Sequence, residues 1–194
     1  MGLRDTASVT DWPAWATETV ELQPPDSAWQ QAGERERQAL ERSLAPWLVA
    51  PVEHVGSTAV PGLAAKPILD LQAAVADLEA APRIAEALAR VGWHYVAPGL
   101  DRRPWRRFFV KAAGGRRVAH LHVMAPGTAR WYLQLAFRDA LRADPGLVEA
   151  YADLKRKAAA RHAADREGYT AAKSEFVRGV LEGHTGSTEE SRSS

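Results

Sequence analysis

The chain has 194 residues, of which 46% are apolar, and a formal net charge of +1 from 25 basic and 24 acidic side chains. That length suits one domain with tails, and the near-neutral balance gives no long-range pull toward nucleic acid or an acidic membrane. Cysteine is absent, which excludes disulfides, thiolate metal sites and a cysteine nucleophile. The N-terminal residues lack an apolar run of signal-peptide length, and no stretch approaches the ~20 apolar residues of a membrane span, so a cytoplasmic protein is expected.

Residues 1–17 carry no pattern and read as a flexible extension. Thr19–Leu22 alternates like a short strand. Pro24, Pro25, Asp26 and Ser27 signal a helix start, and the spacing predicts an amphipathic helix over Ala28–Leu44, with Trp29, Leu40 and Leu44 facing the core. Val52–Val55 reads as a strand running into Gly56-Ser57. Pro67–Val75 reads as a second strand, with Asp70 and Gln72 on one face because side chains alternate. Asp77 caps an expected helix to about Val91, closed by Gly92. Trp93–Val96 is a further strand, and Trp105–Lys111 with Arg117–Met124 forms a hairpin about Gly114-Gly115. Helices follow over Ala129–Arg142, Pro145–Ala164 and about Gly168–Leu181. Residues 184–194 form a polar tail expected to be disordered. Strands interleaved with helices, then helices alone, argue for an α+β domain over residues 18–183.

The chemistry concentrates in HVGSTAVPGLAAKPILDLQ, His54 to Gln72. A Gly56-Ser57 pair at a strand end lets backbone amides approach an anion, and the hydroxyl adds a donor. Thr58 extends that turn, Lys66 offers a full positive charge, and Asp70 can hold Mg²⁺ against phosphate oxygens. These are the parts of phosphoryl or nucleotidyl transfer: an anion cradle, a cation and a carboxylate-held metal. The bland alternatives are a capped strand-to-helix turn and an Asp70 paired with Lys66 or an arginine.

Val55-Gly56-Ser57, a spacer of twelve residues, then Asp70-Leu71-Gln72 resembles the nucleotidyltransferase superfamily pattern. Within it, the segment resembles the GrpB family, as do RRFFVK (Arg106–Lys111), HLHVM (His120–Met124), FRDALRADP (Phe137–Pro145), YADLKRKAA (Tyr151–Ala159) and YTAAKSEFV (Tyr169–Val177). The resemblance runs from about Val20 to Leu181. It implies a nucleotidyltransferase-like mixed sheet flanked by helices, with a helical C-terminal part. It also implies a nucleotide or phosphorylated small molecule as ligand; the balanced charge and the lack of an apolar span argue against a nucleic-acid or membrane partner. Active members of the superfamily commonly hold two Mg²⁺ ions with three carboxylates. Here Gln72 stands at the second position, and the later strands carry no Asp or Glu.

The expected catalytic groups are Asp70, which is also the metal ligand, and the strand-mates His120 and His122, either of which can act as a base. His54 precedes the turn, and either braces it or reaches the ligand. Gly56, Ser57, Thr58, Lys66 and Gln72 are the expected ligand contacts within the motif. Arg103 in a preceding loop, Arg107 on the hairpin and Lys173 on the last helix complete the set, while Arg138 and Arg142 read as a structural ion-pair network. Two functions fit. One is Mg²⁺-dependent transfer of a nucleotidyl group to a small acceptor. The other is a non-catalytic module binding an anion or a partner; for it the resemblance implies an accessory role in coenzyme A metabolism, because family members occur fused to dephospho-coenzyme A kinase.

Overall fold

The computed structural model describes residues 21–161 and 166–190. The expected N-terminal extension, half of the Thr19–Leu22 strand, the end of the Pro145–Ala164 helix and the last four residues of the tail lie outside them. Strands β1 (Glu53–Val55), β2 (Leu69–Ala74), β3 (Trp93–Val96), β4 (Arg106–Ala113) and β5 (Arg116–Met124) form one sheet. Its order is β1-β2-β5-β4-β3. The central β2–β5 pair is parallel and the others are antiparallel. The helices are α1 (Ala28–Leu44), α2 (Ala81–Ala89), α3 (Pro98–Asp101), α4 (Ala129–Ala143), α5 (Pro145–Arg161) and α6 (Arg166–Glu190).

Alternation along the strands makes the two faces chemically unlike. Leu71 and Ala73 of β2, Leu121 and Val123 of β5 and Phe109 of β4 pack against Leu40 and Leu44 of α1 and Ile84 and Leu88 of α2. Each fully buried Leu or Phe there stabilises the fold by roughly 1.5–3 kcal/mol. The intervening residues, Asp70, Gln72, His120 and His122, are thereby forced onto the other face. Helix α4 covers the end of that face, where Trp131 packs on Ala74 and Met124. A second apolar cluster joins Val60 and Leu63, after the turn, to Leu141 of α4, Tyr151 of α5 and Phe176 of α6. The turn is thus held between the sheet and the helical layer. No helix among the described residues is long and apolar enough to cross a membrane.

The elements differ from expectation in three places. The single helix expected after Asp77 is a 3₁₀ turn, Leu78–Ala80, followed by α2, whose first turn contains Pro82. Proline lacks the amide that would continue a helix from upstream but fits a first turn. Helix α3 is only four residues long, too short to leave a periodic signal. Helix α6 runs to Glu190 rather than stopping near Leu181, as expected of a formed helix that adds one hydrogen bond per residue without a new nucleus. The Gly114-Gly115 hairpin holds as read, both glycines having positive φ (57° and 74°).

Candidate functional site

Strand β1 delivers the chain into Gly56, at φ 71° and ψ −171°, a region essentially restricted to glycine. Space imposes the same choice: a Cβ here would lie 2.6 Å from Oδ2 of Asp70. The turn and the carboxylate touch because residue 56 has no side chain. Ser57–Ala59 is a single 3₁₀ turn. Two arginines of α4 tie it down. Arg142 donates to the Ala59 carbonyl through Nε (3.0 Å) and Nη2 (2.8 Å). Arg138 donates to the His54 carbonyl at 3.0 Å and to Glu53 at 2.6 Å.

His54 and Thr58 face inward. The Thr58 hydroxyl donates to the Ile68 carbonyl at 3.2 Å, so at 3.0 Å it must accept from Nε2–H of His54. Burial, with the charges of Arg142 and Arg138 and against that of Asp70, pushes His54 down to about 4 and keeps it neutral. Helix α1 closes over the ring, since a Cβ at Gly33 would sit 2.1 Å from its Nδ1. Of the two readings open for His54, the contacts favour the brace.

The polar sheet face brings Asp70 and both histidines together. Asp70 is in register with His120, and Gln72 with His122. Nδ1–H of His120 donates to Oδ1 of Asp70 at 3.0 Å. Burial pushes the Asp70 carboxyl up, but this bond and the charges of His120, His122 and Lys173 outweigh it and hold the group below the usual carboxylate value. His122 accepts a hydrogen bond at Nδ1 from Arg106. Burial and then the Arg106 charge press His122 down to about 3. Arg106 in turn grips Asp101 of α3 through two bonds of 2.9 and 2.5 Å. The Phe108 ring separates the halves, 5.2 Å from His120 and 5.3 Å from His122, with the Arg106 guanidinium 4.2 Å above it.

A cleft of about 200 Å³ opens where the turn, the sheet and the helical layer meet, lined by Gly56, Ser57, Asp70, Arg130, Tyr151 and Lys173 among others. Four expected residues, Gly56, Ser57, Asp70 and Lys173, meet there. Lys66 does not line it. Lys155 of α5 stands behind the cleft instead, buried and donating to Ser57 Oγ at 3.1 Å and to the Ala64 carbonyl. Burial and the charge of Lys173 bring Lys155 down to about 7. Arg130 is lowered by burial and by the charges of Arg103 and Arg106, which places exposed Arg103 within electrostatic range of the rim. Arg107 is the clear misplacement. It pairs in register with core-facing Val123 and bonds Glu79 at 3.3 Å, so Arg106, one residue earlier, takes the inward place. Lys155, Arg130 and Asp101 were not singled out from sequence, although YADLKRKAA contains the first of them.

The donor set does not fit the two-Mg²⁺ arrangement that the resemblance implies. Asp70 already serves His120, and Asp101 is consumed by Arg106. Gln72 gives its amide N–H to the Trp131 carbonyl at 3.3 Å, leaving a neutral Oε1 with no partner among the described residues. No group of three or more His, Cys, Asp or Glu positioned for a metal ion occurs among the described residues.

The family model described as GrpB protein matches residues 19–183. The chain belongs to the GrpB family. This GrpB chain is 38% identical over 174 residues to the UPF0157 protein PA4798 of Pseudomonas aeruginosa, with 88% of this chain and 69% of that one covered. It spans less than half the length of some other curated relatives. The crystal structure of GrpB from Enterococcus faecalis superposes with a TM-score of 0.73 at 30% identity, covering 84% of this chain and 99% of that one. The Cid1 poly(U) polymerase, solved with Mg and 3′-dATP, gives a TM-score of 0.51 at 13% identity, covering 78% and 49% respectively. That likeness is one of fold, and it makes the GrpB sheet nucleotidyltransferase-like.

Proposed function

We propose that this GrpB protein binds a phosphate-bearing small molecule, with a nucleotide as the leading candidate, in the cleft beside Gly56-Ser57. The observation that carries this reading is the convergence of the turn with Arg130, Lys173 and the Ser57-bound Lys155 on one concave site. Charge-assisted hydrogen bonds from such groups are the strong ones for phosphate. Leu133, Phe137 and Val177 in the same wall offer apolar surface to the organic part of the ligand. Thermal-shift and calorimetric screening against nucleoside mono-, di- and triphosphates and dephospho-coenzyme A tests the reading. A nucleotide is expected to raise the melting temperature, and Lys173→Met to remove most of the shift. Indifference to every phosphate compound in the screen would sink it.

Nucleotidyl transfer to a small acceptor is a second reading, favoured by the Asp70–His120 pair, in which a carboxylate orients an imidazole as a base requires. Labelled triphosphate incubated with candidate acceptors is expected to yield labelled product that His120→Gln abolishes. Gln72 and the committed Asp101 weigh for binding as the primary reading.

A further inference from the structure

We propose that the cleft takes its phosphate ligand as a free polyanion, with protein cations in the role a divalent metal plays elsewhere and Asp70 committed to His120. The inference rests on the phosphate-ligand reading above and specifies the form in which that ligand enters.

Three observations carry it. First, Asp70 is already engaged: Oδ1 accepts from Nδ1–H of His120 at 3.0 Å, and Oδ2 lies so close to the turn that a Cβ at Gly56 would come within 2.6 Å of it. Second, the neighbouring oxygens cannot replace it as anionic ligands. The Gln72 amide is neutral and oriented by the Trp131 carbonyl, and both Asp101 oxygens hold Arg106. A divalent ion in this cleft would find one carboxylate and a surplus of positive charge. Third, Arg130 and Lys173 line the cleft against Asp70, the sole carboxylate among its described lining residues, with Lys155 3.1 Å behind Ser57; Arg138, also in the lining, is already paired with Glu53 and Asp139. The cations are gathered at mutual cost: burial and then Arg103 and Arg106 disfavour the charge on Arg130, and burial and then Lys173 disfavour that on Lys155. An entering anion relieves both repulsions, and the more negative it is, the larger the relief. A Mg²⁺-chelated triphosphate carries two fewer negative charges than the free one and so relieves less.

Isothermal titration of the full chain with ATP at low salt, first in EDTA and then with Mg²⁺ in excess over ATP, reads this directly. ATP is expected to bind in EDTA and to bind roughly tenfold more weakly when chelated, the equivalent of about one charge-assisted hydrogen bond. Lys155→Met is expected to weaken the EDTA binding by a similar factor. Asp70→Asn, which removes a charge of the ligand's own sign, is expected to strengthen it. Equal or tighter binding with Mg²⁺ overturns the inference while leaving the phosphate-ligand reading in place. So does an Asp70→Asn protein, folded by circular dichroism, that no longer binds ATP in EDTA. Failure of both ATP and inorganic triphosphate to bind in either buffer removes the underlying reading, and this inference with it.

Discussion

Lys155 offers a quantitative test of how the helical layer is coupled to the turn. Its side chain is 2% exposed, so solvent screening does little for it. Its amine is lowered from 10.5 to about 7, by burial first and then by Lys173. At about 1.4 kcal/mol per pH unit, keeping it charged at or below pH 7 costs the folded state about 5 kcal/mol. Because the folded pKa is the depressed one, the unfolded chain binds more protons between pH 7 and 10.5. Wild-type stability therefore gains about 1.4 kcal/mol per pH unit across that window from this group alone. Lys155→Met keeps the bulk and the apolar stem but does not titrate. It also strips a donor from Ser57 Oγ and the Ala64 carbonyl, at a cost of about 1–3 kcal/mol each. Those costs nearly balance at pH 7, so the readout is the difference between two pH profiles rather than either stability. Urea denaturation of both proteins from pH 6 to 10 should show wild type gaining steadily on the variant above pH 7. Parallel curves would refute the buried-ammonium account.

On the acid side the sign is the same, and stability again rises with pH. His54 and His122 are held neutral at about 4 and about 3, below the unfolded value of about 6.5. Stability should then fall as pH drops below 6.5, by about 1.4 kcal/mol per unit for each histidine, with Asp70 adding loss in the same direction at lower pH; His54→Gln should flatten the slope by one histidine's share. Gly33→Ala should destabilise by about 1–3 kcal/mol through overpacking on the His54 ring, and His54→Ala in the same chain should cost less than the two changes summed, as chemical denaturation would show. Arg106→Leu leaves the 8%-exposed Asp101 carboxylate unpaired and should cost about 3–5 kcal/mol. NMR titration of that variant should find the His122 pKa raised, since the largest of the charges that depress it is gone.

The residues differ in how far they announced these positions. Helix α1 was readable to the residue, because Trp29, Leu40 and Leu44 keep helical spacing between a polar start and Pro46. Period-two alternation sufficed to put Asp70 with Gln72, and His120 with His122, on shared faces. Alternation says that Arg106 and Arg107 point oppositely but not which points inward; the register of β4 on β5 decides that, pairing Arg106 with Met124. Asp101 was invisible because a four-residue helix leaves no periodic trace and its partner is five residues away across a turn. Lys155 looks like surface beside Arg156 and Lys157, and only the packing of α5 on the Ser57 turn buries it. For His54, the informative residue is Gly33, twenty-one positions earlier, whose missing side chain makes room for the ring.

A crystal structure of the full chain with a nucleoside triphosphate bound would test the central claim most directly. The account predicts the phosphates between Gly56-Ser57, Arg130 and Lys173, with the Asp70–His120 bond intact. Phosphates bound elsewhere, for instance in the charged hollow between Arg37, Glu34 and Arg142, would contradict it.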